Sequence, residues 1–141
     1  QKMNKLQTNK PHAILIPYPL QGHVIPTVHL ATKLASIGFT ITFINTTYIH
    51  HEITKSNPTK DPDDIFLEAR ESGLDIRYAT VTDGFPIGFD RSSNHDQHME
   101  GVLHVFSAHV DELVGKLVKS SEPKVKVIIS DTFFCVDFND C

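Results

Sequence analysis

Three short segments hold the residues best suited to chemistry: Tyr18 to His23, Asp83 to Phe85, and Asp131 to Phe134. Each follows an apolar run that reads as a strand, and open α/β sheets bind ligands beyond the carboxyl ends of their strands. His23 follows Gly22 in a tight strand-to-helix turn, a place from which its ring can project into such a crevice. Asp131, after a neighbouring strand, is able to accept the hydrogen on Nδ1 of that ring. In outline this is a His-Asp dyad. The imidazole takes a proton from a hydroxyl as that hydroxyl attacks, while the carboxylate fixes the tautomer and stabilises the imidazolium. Spacing alone leaves a plainer reading open, because a histidine near a helix start is more often structural or capping, and Asp131 could merely cap the next helix.

The elements that must position these residues follow from periodicity. His12 to Ile16 is a short apolar run closed by Pro17, as expected of a strand buried on both faces of a parallel sheet. After the turn ending at His23, Val24, Val28, Ala31 and Ala35 recur at helical spacing, with Pro26 suited to a first helical turn and Gly38 to the stop. Phe39 to Ile44 predicts a second strand, ending in the polar Asn45, Thr46 and Thr47. Strand, helix, strand implies a parallel, right-handed crossover. Residues 54–63 carry turn and breaker types and predict an exposed loop, followed by a short helix from Asp64 to Glu71 that Ser72 and Gly73 end. Ile76 to Val81 is a third strand. Leu103, Phe106, Val110, Leu113 and Leu117 recur three and four apart and predict a long helix from Asp96 to Lys119, with Asp111, Glu112 and Lys116 on its outer face. Val125 to Ser130 is a fourth strand. The pattern is an open α/β sheet with helices on its faces, in a single domain.

The 141 residues are 40% apolar and 21% charged, which is ordinary globular composition with enough apolar side chains for a core. A formal net charge of −4 gives no broad basic field, so nucleic acid and anionic membranes are not expected partners. Small molecules are. The two cysteines, Cys135 and Cys141, are too close in sequence to staple a core, and reduced thiols in a cytoplasmic protein are the expectation. No run approaches the length of a membrane span, and Pro17 and Pro19 interrupt the one apolar stretch near the start. Met3 reads as the initiator, with residues 1–9 a flexible lead-in.

Lys10 to Pro26, together with Leu30 to Thr46, resembles the opening of the plant family-1 UDP-dependent glycosyltransferases. Thr82 to Pro86 and Ile128 to Phe133 resemble later landmarks of that family in the right order, so the likeness covers nearly all of residues 10–134. The resemblance implies a GT-B architecture, with residues 10–141 as part of the N-terminal, Rossmann-like, acceptor-binding domain. The C-terminal domain that holds the UDP-sugar is expected to be absent, since the chain has no Trp and the family's donor segment contains one. It implies inverting transfer of a sugar, commonly glucose, from UDP-sugar to a hydroxyl of a small lipophilic plant metabolite. His23 is then the general base and Asp131 its supporting carboxylate, with no metal and no cofactor beyond the UDP-sugar co-substrate. Leu20, Gln21, Gly22, Asp83, Phe85 and Phe133 would line or border the acceptor crevice. The full-length form is expected to be monomeric. The segment Cys135 to Cys141 departs from the family, in which an apolar helix follows the strand bearing the aspartate. A second reading is therefore a truncated, inactive product that only binds a small molecule or a full-length relative.

The other histidines carry less. His50 with His51, and His95 with His98, lack a third ligand at a metal-site spacing and read as solvated loop or helix-start residues. His104 and His109 read as partly buried packing residues of the long helix. Gly22 opens no G-x-G-x-x-G series, which argues against a dinucleotide fingerprint.

Overall fold

A computed structural model of the chain describes residues 10–17, 21–56, 64–90 and 107–130. Within them the chain forms β1 (His12–Ile16), α1 (Gln21–Ser36), β2 (Thr40–Thr46), α2 (Thr47–Ser56), α3 (Leu67–Glu71), β3 (Ile76–Val81), α4 (Ser107–Ser120) and β4 (Val125–Ser130). The four strands make one parallel sheet in the order β3-β2-β1-β4.

Alternation along the strands divides the core between two faces. Ala13 and Leu15 of β1, Ile41 and Phe43 of β2, and Ile76 of β3 share one face with Val24, Ala31 and Ala35 of α1, Ile49 and Ile53 of α2, and Phe66. Ile14, Ile16 and Ile44 point the other way, onto Val110 and Val114 of α4. All the residues of β1 and β2 are buried, which is why both read as continuous apolar or β-branched runs rather than alternating ones. In α4 the buried line passes through Val110 and Val114, flanked by partly buried Leu113 and Leu117. Asp111, Glu112 and Lys116 are exposed, as expected, but His109 is exposed too and is not a packing residue. Leu103, His104 and Phe106, with the first part of the predicted long helix, lie outside the described residues.

Both glycine stops act through the same device. The Gly38 N–H donates to the Ala35 carbonyl at 3.1 Å and the Phe39 N–H to the Leu34 carbonyl at 3.1 Å, with Gly38 at φ +110°. Gly73, at φ +103°, repeats the pattern, donating to the Arg70 carbonyl at 2.9 Å while Leu74 donates to that of Ala69 at 3.1 Å. This crossed pair satisfies the last carbonyls of a helix and needs a left-handed residue, which favours glycine.

The structure corrects several boundaries. Helix α1 begins at Gln21, so His23 lies in its first turn rather than in the preceding loop, and Pro26 is interior to the helix. Strand β2 runs on through Asn45 and Thr46, polar residues that sequence alone assigns to its end. They are only 1% exposed because their polar atoms are satisfied. Asn45 Nδ2 donates to the Tyr78 hydroxyl at 3.3 Å, its Oδ1 accepts from the Thr46 N–H at 2.9 Å, and Thr46 Oγ1 accepts from the Ile49 N–H at 3.0 Å. That last bond makes Thr46 the N-cap of α2, a helix absent from the sequence reading. Its C-terminal part, Thr54 to Ser56, takes residues expected in a loop; 57–63 lie outside the described residues. Helix α3 starts at Leu67, three residues later than expected, because the Asp64 side chain accepts from the Phe66 N–H at 2.9 Å and holds a turn there.

Candidate functional site

In the strand order β3-β2-β1-β4, successive connections run one way from β1 to β3 and the other way to β4. The carboxyl ends of β1 and β4 are thus the topological switch point, the place where open α/β sheets form their binding crevice. Ile16 lies opposite Ser130 in the β1–β4 register. The two strands therefore end at the same level, side by side.

Helix α1 starts just beyond β1, with Gln21, Gly22 and His23 as its first three residues. Gly22 is exposed, and a Cβ built on it meets no described atom within 4 Å, so local packing among those residues does not demand glycine. Pro26 has no N–H to give the Gly22 carbonyl, which leaves an acceptor in the first turn without its usual helical bond. The side chains of Gln21 and His23, and the whole of Leu20, Asp131 and Phe133, lie outside the described residues.

At the carboxyl end of β3, Asp83 is 2% exposed, and its Oδ1 accepts from the Phe85 N–H at 3.1 Å. Thr82 Oγ1 accepts from the Gly84 N–H at 3.0 Å. Asp83 is thus a shaper of the loop that follows β3. Phe85 is half-buried and stacks on Phe89, with ring centroids 4.5 Å apart and planes 20° from parallel. Sequence reasoning singled out Phe85 and missed Phe89, although a second aromatic four residues on is a visible signal.

A further polar group was not foreseen. The Tyr78 hydroxyl accepts from Asn45 Nδ2 and shares a hydrogen bond of 2.7 Å with His50 Nδ1, within an aromatic cluster of Phe43, Phe66, Tyr78 and His50. Burial pushes the Tyr78 phenol up to about 12, against a smaller opposing effect of the Asn45 hydrogen bond. His50 is therefore a half-buried structural residue, and His51 beside it is exposed. Among the described residues no group of three His, Cys, Asp or Glu side chains is placed to hold a metal ion. No described helix is long and apolar enough to cross a membrane.

A cleft of about 530 Å³ opens at the opposite, amino end of the sheet, between Lys10, Leu74, Asp75, Arg77 and Glu122. Its arginines are committed to structure. Arg70 pairs with Asp64 and donates to the Ile76 carbonyl at 2.6 Å, and Arg77 donates to the Glu122 carbonyl at 2.7 Å. Among the described candidate residues, Gly22, Asp83 and Phe85, none lines this cleft.

An open parallel sheet with this order, helices on both faces and its switch point at β1 and β4 is a Rossmann-like domain, and the solved structures it resembles are GT-B plant glycosyltransferases. Solved structures agree on the fold. The chain superimposes with a TM-score of 0.65 on Glycyrrhiza uralensis UGT73P12, covering 87% of this chain and 24% of that one at 17% identity. With Arabidopsis thaliana UGT89C1 the TM-score is 0.60, over 89% of this chain and 31% of that one, at 17% identity. No family model matches the chain. Sequence relatives are much nearer. UDP-glycosyltransferase 86A1 of Arabidopsis thaliana is 61% identical over 133 residues, which are 94% of this chain and 27% of that protein. UDP-glycosyltransferase 86A2 of the same plant is 62% identical over 124 residues, 87% of this chain and 25% of that protein. The chain belongs to the plant UDP-glycosyltransferase family, and it spans about a quarter of the length of the curated relatives it matches.

Proposed function

We propose that the protein carrying this chain transfers a sugar, glucose foremost, from a UDP-sugar to a hydroxyl of a small lipophilic plant metabolite, and that this chain supplies the acceptor side. His23 takes the proton of the acceptor hydroxyl as its oxygen attacks the anomeric carbon. The bond from that carbon to the β-phosphate oxygen breaks, UDP leaves, and a single displacement inverts the anomeric centre. Asp131 accepts the Nδ1 hydrogen of His23, which holds the tautomer that leaves Nε2 free to receive the proton. Leu20, Gln21, Gly22, Asp83, Phe85 and Phe133 border the acceptor.

The observation that carries this reading is the Ile16–Ser130 register at the switch point. Asp131 is the first residue after Ser130, and His23 is the third residue of the helix that follows β1, which supports a dyad between these two neighbouring strand ends. Family membership at 61% identity supports the reaction class. A positioned base of this kind contributes roughly 10²- to 10⁴-fold to the rate. In the full-length protein His23→Ala is expected to lose sugar transfer by about that factor while UDP-sugar binding, followed by calorimetry, stays intact. Near-normal turnover would remove His23 from the base role.

A further inference from the structure

Building on that reading, we propose that Pro26 is a positioning residue: it uncouples the first turn of α1 from the rest of the helix and so sets where His23 stands at the switch point. Proline is tolerated without penalty only in the opening turn of a helix, where backbone N–H groups have no helical partner in any case. In α1 that turn is Gln21 to Val24, and Pro26 lies beyond it, inside the helix. There it removes the bond that would tie residue 26 to the Gly22 carbonyl, its ring crowds the same carbonyl, and it disfavours helical backbone at Ile25. Departures from local preference of this kind concentrate where function needs a particular geometry.

Packing holds the same turn at one point. Of residues 22 and 24–26 only Val24 is buried; Gly22, Ile25 and Pro26 are exposed, and no described atom lies within 4 Å of a Cβ built on Gly22. One buried side chain fixes the turn to the core and leaves its tilt to the backbone, which Pro26 governs. Helix bends of more than about 20° are almost always found at proline. Over the three residues that separate His23 from Pro26, about 4.5 Å of helix axis, a bend of about 20° moves the His23 backbone by roughly 1.5 Å. A misplacement of about 1 Å is enough to slow a reaction roughly 10²-fold. The later turns of α1 have their own buried anchors in Ala31 and Ala35, so straightening the helix at Pro26 would be taken up by the first turn.

The test is Pro26→Ala in the full-length protein, with UDP-glucose as donor and benzyl alcohol as acceptor, a hydroxyl too weakly acidic to ionise unaided near neutral pH. Alanine restores the N–H and fits a helix, so the fold is kept and the thermal midpoint should rise by about 2–4 °C. The expected result is a kcat at least about tenfold lower, while both KM values, and UDP-glucose affinity by calorimetry, stay within about twofold. The readout specific to positioning is the double variant. In a His23→Ala background, Pro26→Ala should change the residual rate by less than about twofold, because an effect exerted through His23 has nothing left to act on. Unchanged kcat in Pro26→Ala, or the same fold loss in both backgrounds, would overturn the proposal. Near-normal turnover in His23→Ala is a different failure, since it removes the base assignment itself, whereas a fully active Pro26→Ala beside an inactive His23→Ala removes only the positioning role.

Discussion

His12 offers a test of how this sheet is held together. It is fully buried at the amino end of β1, with Nδ1 2.7 Å from the Pro123 carbonyl and Nε2 2.7 Å from Thr42 Oγ1. A carbonyl can only accept, so Nδ1 carries the hydrogen, and Nε2 of the neutral ring accepts from the Thr42 hydroxyl. One side chain thus ties β1 to β2 and to the turn that leads into β4. His12→Leu keeps a similar volume but leaves a buried carbonyl and a buried hydroxyl unpaired, each costing about 1–3 kcal/mol. The expected loss is roughly 2–6 kcal/mol, a large part of the 5–15 kcal/mol typical of a domain. The wild-type protein should also show a pH signature. Burial holds the His12 pKa below its ordinary 6.5, with the nearby Arg77 charge adding to that, while the Pro123 hydrogen bond and Asp75 oppose it. The unfolded chain then binds the proton more readily than the folded one. The contribution of neutral His12 is fully present above pH 6.5 and is lost as the pH falls from there through the folded value, by at most about 1.4 kcal/mol per pH unit. Urea unfolding between pH 8 and 5, on wild type and His12→Leu, reads both effects. A loss under about 1 kcal/mol at pH 8, or equal pH slopes in the two proteins, would refute the reasoning.

At alkaline pH Tyr78 governs the response. Its folded pKa is raised to about 12, so its contribution is present below the ordinary value of 10 and is lost as pH rises from 10 toward 12. Ultraviolet titration should show a tyrosine step near pH 12, and Tyr78→Phe should abolish that step; its persistence would assign it elsewhere. Gly38→Ala places a side chain at φ +110°, where nothing crowds the Cβ but the backbone itself is strained. A loss of about 1 kcal/mol in thermal or urea unfolding is expected, and no change would mean that the turn relaxes to another conformation.

Much of the fold was legible because its signals are local. His12 to Ile16 and Val125 to Ser130 coincide with β1 and β4 as read from apolar runs, and Ile76 to Val81 with β3. Gly38 and Gly73 marked two helix ends through a conformation that only the chain's own geometry requires. Where side chains act over distance, reading failed. Asn45 and Thr46 read as the polar end of a strand, and their full burial is explained only once Tyr78, 33 positions away from Asn45, supplies a partner. His50 looks like a solvated residue until the same tyrosine does so, 28 positions away. Thr46 becomes an N-cap only when α2 exists to be capped. Residue types alone proposed His23 and Asp131 as a dyad and left a capping role open, since sequence distance says nothing of spatial distance. Sequence by itself determined the four strands and the helix that follows β1, though not α2, because periodicity and turn chemistry are properties of neighbouring residues. Only the tertiary structure decided that β1 lies between β2 and β4, and with it the switch point that brings the ends of β1 and β4 together, because strand order is set by which faces and edges pack, over more than a hundred positions of chain between His12 and Val125.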